Sequence, residues 1–185
     1  MNNANPQNHI IEMKQSLTPE EEVVLKKLKQ RVFGEMVDEK EATEDFINIP
    51  YAHLLLKDNN KIIGVLDLHR SIGKYQEKDV SIGGLSIGIL EDYRKHGYGG
   101  MLITKAMEHL KKQTYDLGFL AAAPGTVSLY ERYGWQVLNV PYTWENVYGE
   151  IKSDTDGMIV PLKNHRLVER IEKGGKSLHI GRGYW

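Results

Sequence analysis

The chain has 185 residues, enough for one ordinary domain, and its 41% hydrophobic and 26% charged residues can form a packed core. A net charge of -1 gives no reason to expect nucleic acid as a partner. There is no cysteine, which excludes disulfides, thiolate metal sites and an acyl-cysteine intermediate and fits a reducing compartment.

Residues 1–8 are polar and amide-rich, with neither a basic start nor an apolar run. They read as flexible, not as a signal peptide. No stretch approaches the ~18 apolar residues of a membrane span, so no membrane partner is expected and the cytoplasm is the default location. His9 to Lys14 reads as a short first strand. Thr18-Pro19-Glu20-Glu21 then starts a helix, with Thr18 as cap, Pro19 at the first position and Glu21 completing a capping box. Val23, Leu25, Leu28, Val32 and Phe33 continue at helical spacing until Gly34. Glu35 to Ile49 is acidic and weakly patterned, a loop with a short second helix.

Tyr51–Lys57 and Lys61–His69 are strand-like runs joined by Asp58-Asn59-Asn60, which predicts a hairpin. Ser71 to Lys78 is polar and reads as another turn. Val80 to Leu90 is a longer strand whose three glycines suggest a bulge or a close backbone approach. A helix opens near Gly97 and runs to about Gln113, with Leu102, Ala106 and Leu110 on one stripe. Phe119–Ala123 reads as a strand, Thr126–Arg132 as a helix ending at Gly134, and Trp135–Val140 and Met158–Leu162 as strands. The tail from Lys163 is poorly patterned. This order implies an α/β (α+β) fold: one domain over 1–185, a mixed, mostly antiparallel sheet with helices on both faces.

The segment Arg94-Lys95-His96-Gly97-Tyr98-Gly99-Gly100 carries the chemistry. It follows a strand and opens a helix, where free amides and the helix dipole favour an anion. Glycines let the backbone approach closely, and Arg94 and Lys95 add full charges, so a diphosphate is the natural guest. A Rossmann fingerprint needs glycine three places after Gly99, where Leu102 stands. A P-loop ending in Gly175-Lys176-Ser177 needs its first glycine where Arg170 stands. Neither fits.

The pattern Arg-x-x-Gly-x-Gly, with Leu129-Tyr130-Glu131-Arg132-Tyr133-Gly134-Trp135 about thirty residues later, resembles the two coenzyme A motifs of the GCN5-related N-acetyltransferases, the GNAT superfamily. The resemblance covers roughly Lys61 to Val140. It implies a splayed cleft for acetyl-CoA as cosubstrate, with no metal. The amides of Arg94 to Gly100 would hold the pyrophosphate, and the backbone of Leu85, Ser86 and Ile87 would pair with the pantetheine arm. The thioester would then lie beside Phe119–Ala122. Transfer would be direct, from the thioester to an unprotonated amine.

Tyr130 holds the family's place for the acid that protonates the leaving thiolate, with Tyr133 a weaker alternative. The base is open. Asp67 and His69 share one face of a predicted strand and are candidates, as is ordered water. Glu91 and Asp92 read as shaping the turn before the loop.

Within the superfamily, Asp92-Tyr93-Arg94, Tyr115-Asp116-Leu117-Gly118, Asp156-Gly157 and Trp185 look like the aminoglycoside 2'-N-acetyltransferases. That likeness implies a small-molecule amine acceptor, of which an aminoglycoside is one candidate, with Glu35, Asp45, Asp156 and the carboxylate of Trp185 as candidate site residues. Two positions depart from it: Leu85 stands where those enzymes carry a strand glutamate, and Arg182 lies in place of an acidic stretch before Trp185. Residues 163–185 are placed near the acceptor site or at a homodimer interface, since the family often dimerises. The alternatives are a non-catalytic acetyl-CoA sensor or scaffold and an acetyltransferase for protein or peptide amines.

Overall fold

The structure is a computed structural model that describes residues 9–34 and 48–185. Ten strands join one sheet in the order β6-β9-β5-β4-β3-β10-β7-β8, with β2 on the first half of β3 and β1 on β2. The strands are β1 (His9–Lys14), β2 (Ala52–Asp58), β3 (Lys61–Tyr75), β4 (Lys78–Ile89), β5 (Leu117–Ala121), β6 (Gln136–Val137), β7 (Tyr142–Glu145), β8 (Ile151–Asp154), β9 (Gly157–Pro161) and β10 (Leu178–Arg182). Only β4–β5 and β7–β10 pair in parallel. The helices are α1 (Pro19–Phe33), α2 (Tyr98–Lys112), α3 (Val127–Glu131) and α4 (His165–Gly174).

Sequence patterning sets the first half. Thr18 and Glu21 form the reciprocal capping box at the start of α1. Asn59 and Asn60 both take positive φ, 46° and 69°, in a two-residue turn between the paired Asp58 and Lys61. A bulge follows: Lys57 faces Ile62, but Leu56 faces Gly64, so Ile63 is the extra residue.

Alternation then sorts the core onto two faces. Leu66, Leu68 and Leu85 pack with Leu102, Ile103, Ala106 and Leu110 of α2 and with Tyr130 of α3. On the opposite face Leu25 and Leu28 of α1 cover Leu55, Ile62 and Val65. Beyond them Leu167, Val168 and Ile171 of α4 pack with Ile82, Phe119 and Ile159.

Three expectations change. Ser71–Lys78 is not a turn: β3 continues to Tyr75, because Ser71 Oγ donates to the Ile180 carbonyl at 2.6 Å and β10 pairs alongside. The turn is Gln76–Glu77, two residues at positive φ that carry no glycine or asparagine to signal it. Trp135–Val140 shortens to a strand of two residues at Gln136–Val137. The tail from Lys163 is ordered, with Asn164 capping α4 by accepting from the Leu167 amide and Gly175 closing it at φ 64°. Since Ile171 is fully buried under the sheet, Ile171→Ala should cost about 2–5 kcal/mol in urea unfolding.

Candidate active site

β4 ends at Ile89, and a single 3-10 turn, Glu91–Tyr93, leads into the loop before α2. Lys95 (φ 64°) and Gly97 (φ 84°) are left-handed, which folds a short loop into the kind of concave turn where amides collect anions. No side chain caps α2, so its first amides stay available and the positive end of the helix dipole faces the loop. Arg94, Lys95 and His96 are exposed around it. Arg94 is tied down, its Nε donating to the Ile89 carbonyl at 3.0 Å. Tyr98 stacks on His96 at 5.9 Å, and its hydroxyl lies 2.8 Å from His9 Nε2 on β1. These residues fit a diphosphate: amides for the oxygens and cations at the rim.

The tyrosine segment packs directly on this loop. A Cβ at Gly100 would overlap the Tyr133 hydroxyl, so a larger residue would have to displace that ring; Gly99 is in ordinary van der Waals range of Leu129. A shallow cavity of about 440 Å³ opens beside the contact, lined by Gly97, Gly100, Met101 and Tyr133. Tyr130 is 6% exposed, in the apolar cluster that includes Leu85, Leu120 and Ala122. Burial alone pushes its phenol up to about 12.

Between the two motifs the sheet opens. β4 and β5 pair only at Ile82–Leu117, Gly83–Gly118 and Gly84–Phe119, yet β4 continues to Ile89 and β5 to Ala121. Past Gly84, including Leu85, Ser86 and Ile87, β4 holds its register with β3 but, among the described residues, has no strand on its β5 side. An unpaired edge inside a sheet is available to an extended ligand arm.

The family model described as the acetyltransferase (GNAT) domain matches residues 50–137, which span this loop, cleft and tyrosine segment. That segment, just under half of the chain, is similar to the GNAT acetyltransferase domain. The whole fold agrees. A GNAT family N-acetyltransferase of Escherichia coli, solved with CoA, is 16% identical over 94% of this chain and 89% of its own, with a TM-score of 0.61. The ribosomal-protein-S18-alanine N-acetyltransferase of Escherichia coli is 16% identical over 83% of this chain and 94% of its own (TM-score 0.53). Naa50 of Arabidopsis thaliana, solved with a bisubstrate analogue, is 17% identical over 80% and 95% (TM-score 0.52). No curated protein matches the sequence. No helix among the described residues is long and apolar enough to cross a membrane.

On the α1 face of the sheet, polar groups gather beside the opening. Asp67 is buried, accepting from His53 Nδ1 at 2.7 Å and from Lys29 Nζ of α1. Burial alone would raise its carboxyl, but the His53 hydrogen bond and the Lys29 charge outweigh that and hold it below the usual range. His69 lies 4% exposed, its Nδ1 3.1 Å from the Asn48 carbonyl oxygen and its Nε2 3.4 Å from Ser86 Oγ. Desolvation depresses it to about 4, against a smaller opposing pull from Asp67. The Trp185 indole stacks on His69 at 5.5 Å and 11°, and meets Phe119 edge-on at 5.7 Å.

Sequence reading did not foresee Lys29, His53 or Asn48, and it gave Ser86 only a backbone role. The bulge hid His53: without the extra residue it would face Leu66 instead of Asp67. Asp156 is exposed, and its carboxylate accepts from the buried Tyr142 hydroxyl at 2.7 Å. Tyr184 stacks parallel to Tyr142 at 6.3 Å. Glu35 and Asp45 lie outside the described residues. Leu85 points into the α2-side core, while Gly84 and Ser86 face the α1 side, so the polar strand residue at the opening is Ser86. Arg182 is exposed, 3.9 Å from Glu145.

A histidine held neutral when folded binds its proton only in the unfolded chain between pH 6.5 and about 4. Its stability contribution is complete above pH 6.5 and is lost as pH falls through that window. The loss should reach on the order of 3 kcal/mol, and His69→Asn should flatten this slope in urea unfolding measured against pH.

Proposed function

We propose that the protein is an N-acetyltransferase that passes acetyl from acetyl-CoA directly to the amine of a small molecule, the whole chain acting as one unit. The observation that carries this reading is the packing of the Leu129–Tyr133 segment on Gly99 and Gly100, beside an opened strand pair. Such an arrangement suits one extended ligand. Its diphosphate rests on the amides from Arg94 to Gly100, its arm runs along Leu85 to Ile87, and its thioester reaches the level of Phe119.

The amine nitrogen attacks the thioester carbon, the C–N bond forms, and the C–S bond breaks with its electron pair leaving on sulfur. Tyr130 serves the leaving sulfur. With its phenol near 12 and a free thiol near ~8.5, full proton transfer is uphill by roughly 5 kcal/mol in the ligand-free site. Tyr130 therefore stays protonated at neutral pH and acts first as a hydrogen-bond donor to the departing thiolate. Asp67 is engaged by Lys29 and His53, and His69 is a weak base, so the ammonium proton leaves through water.

An aminoglycoside is the leading acceptor. Exposed Asp154 and Asp156 provide carboxylates, and half-buried Tyr184, stacked on the buried Tyr142, provides an aromatic face for a cationic amine.

Coenzyme release can be followed with a thiol reagent without background, because the chain has no cysteine. Turnover is expected on a panel of aminoglycosides, polyamines and peptide amines, with aminoglycosides preferred. Silence across the panel would leave acetyl-CoA binding without chemistry and favour a sensor. Tyr130→Phe should lower kcat by about 100-fold or more while leaving acetyl-CoA affinity unchanged.

A further inference from the structure

We propose that Trp185 is a specificity-determining wall that limits the acyl group to acetyl. This rests on the coenzyme site argued above. With the diphosphate at the start of α2, the arm must follow the open edge of β4 back from Ile89. That edge is five residues long to Gly84, roughly 17 Å at strand rise. It stops there because Gly84 is paired with Phe119 and the two strands close. The acyl group therefore sits at the apex, with no room farther along the sheet.

Its lateral room is set by what covers the apex on each face. On the α2 side Tyr130, Leu85 and Leu120 belong to one packed cluster. On the α1 side the cover is Trp185. A Cβ at Gly84 would overlap the indole at Nε1, Cε2 and Cζ2, so the ring lies directly on the backbone at the apex. The ring is 7% exposed and clamped, with His69 stacked behind it and Phe119 against its edge. His69 cannot yield easily, because Asn48 and Ser86 hold its two nitrogens. A rigid aromatic plane at this point obstructs an acyl chain longer than acetyl.

The test is calorimetric binding of CoA, acetyl-CoA and butyryl-CoA, which needs no knowledge of the acceptor. The wild-type protein should bind acetyl-CoA at least about 10-fold more tightly than butyryl-CoA, the discrimination typical of a closed apolar pocket. Trp185→Ala should bring the two affinities together while CoA affinity holds, and Trp185→Phe should retain the preference. Trp185→Leu provides the same comparison should the alanine variant unfold. Equal affinities in the wild-type protein, or a preference that survives both Trp185→Ala and Trp185→Leu, would overturn the wall. Absence of CoA binding by the wild-type protein would instead overturn the coenzyme reading on which it rests.

Discussion

The constraint on which the site depends is the failure of two neighbouring parallel strands to stay together. Backbone groups in the middle of a sheet are normally all paired, since leaving them bare in an apolar setting costs about as much as a lost hydrogen bond. Here β4 is held on one side by β3 and β5 is held on the other by β9, so each strand keeps one complete ladder while the gap between them opens. The closed end is crowded with rings on both faces. Tyr115 and Leu110 lie on Gly83, Trp135 lies on Gly118, and Trp185 lies on Gly84. Glycines at these three positions let aromatic planes sit on the backbone, which anchors the apex while the far ends diverge.

The opening has two unlike faces. On the α2 side it is apolar, and burial there keeps the Tyr130 phenol protonated. On the α1 side it is polar: Lys29, His53 and Asp67 form a compact charge group, with His69 and Ser86 next to it. The buried carboxylate gains from being paired, since a lone charge at that depth would be strongly disfavoured. Its effect on the chemistry is indirect. It fixes α1 to the sheet, while burial, against the smaller pull of Asp67, keeps His69 neutral and flat against Trp185.

How much of this was legible depended on whether backbone or side chains did the work. The capping box at Thr18, the Asn59–Asn60 turn and the glycine run at Gly97–Gly100 each have a local physical reason that a single stretch of chain displays. The Leu129–Tyr133 segment was legible through its resemblance to a known family motif, not through local physics. The continuation of β3 through Ser71–Tyr75 was not, because its polar residues are satisfied by β10, more than a hundred residues away. Residues 163–185 looked irregular through their glycines, although Asn164, Leu167, Val168, Ile171 and Gly175 together spell a capped amphipathic helix. The bulge at Ile63 has no local signature at all, and with it went the pairing of His53 and Asp67.

That division explains why donor and acceptor are known to such different depths. A diphosphate and an extended arm are recognised largely by amides and carbonyls, whose placement follows from turn and strand geometry. Any chain that must bind them converges on the same few glycine spacings. An acceptor amine is recognised by side chains, and on the proposed reading these come from β7, β8, the turn before β9 and the last residues of the chain. Each contributes one or two groups that mean little alone: an aspartate, a tyrosine, a tryptophan. Only the fold shows that Trp185 and His69 stack over Gly84, and that Leu85, the position at which the strand glutamate is missing, faces away from them. On the proposed aminoglycoside reading, the strand position compared with a glutamate therefore faces the core, and the strand presents Ser86 toward the opening instead.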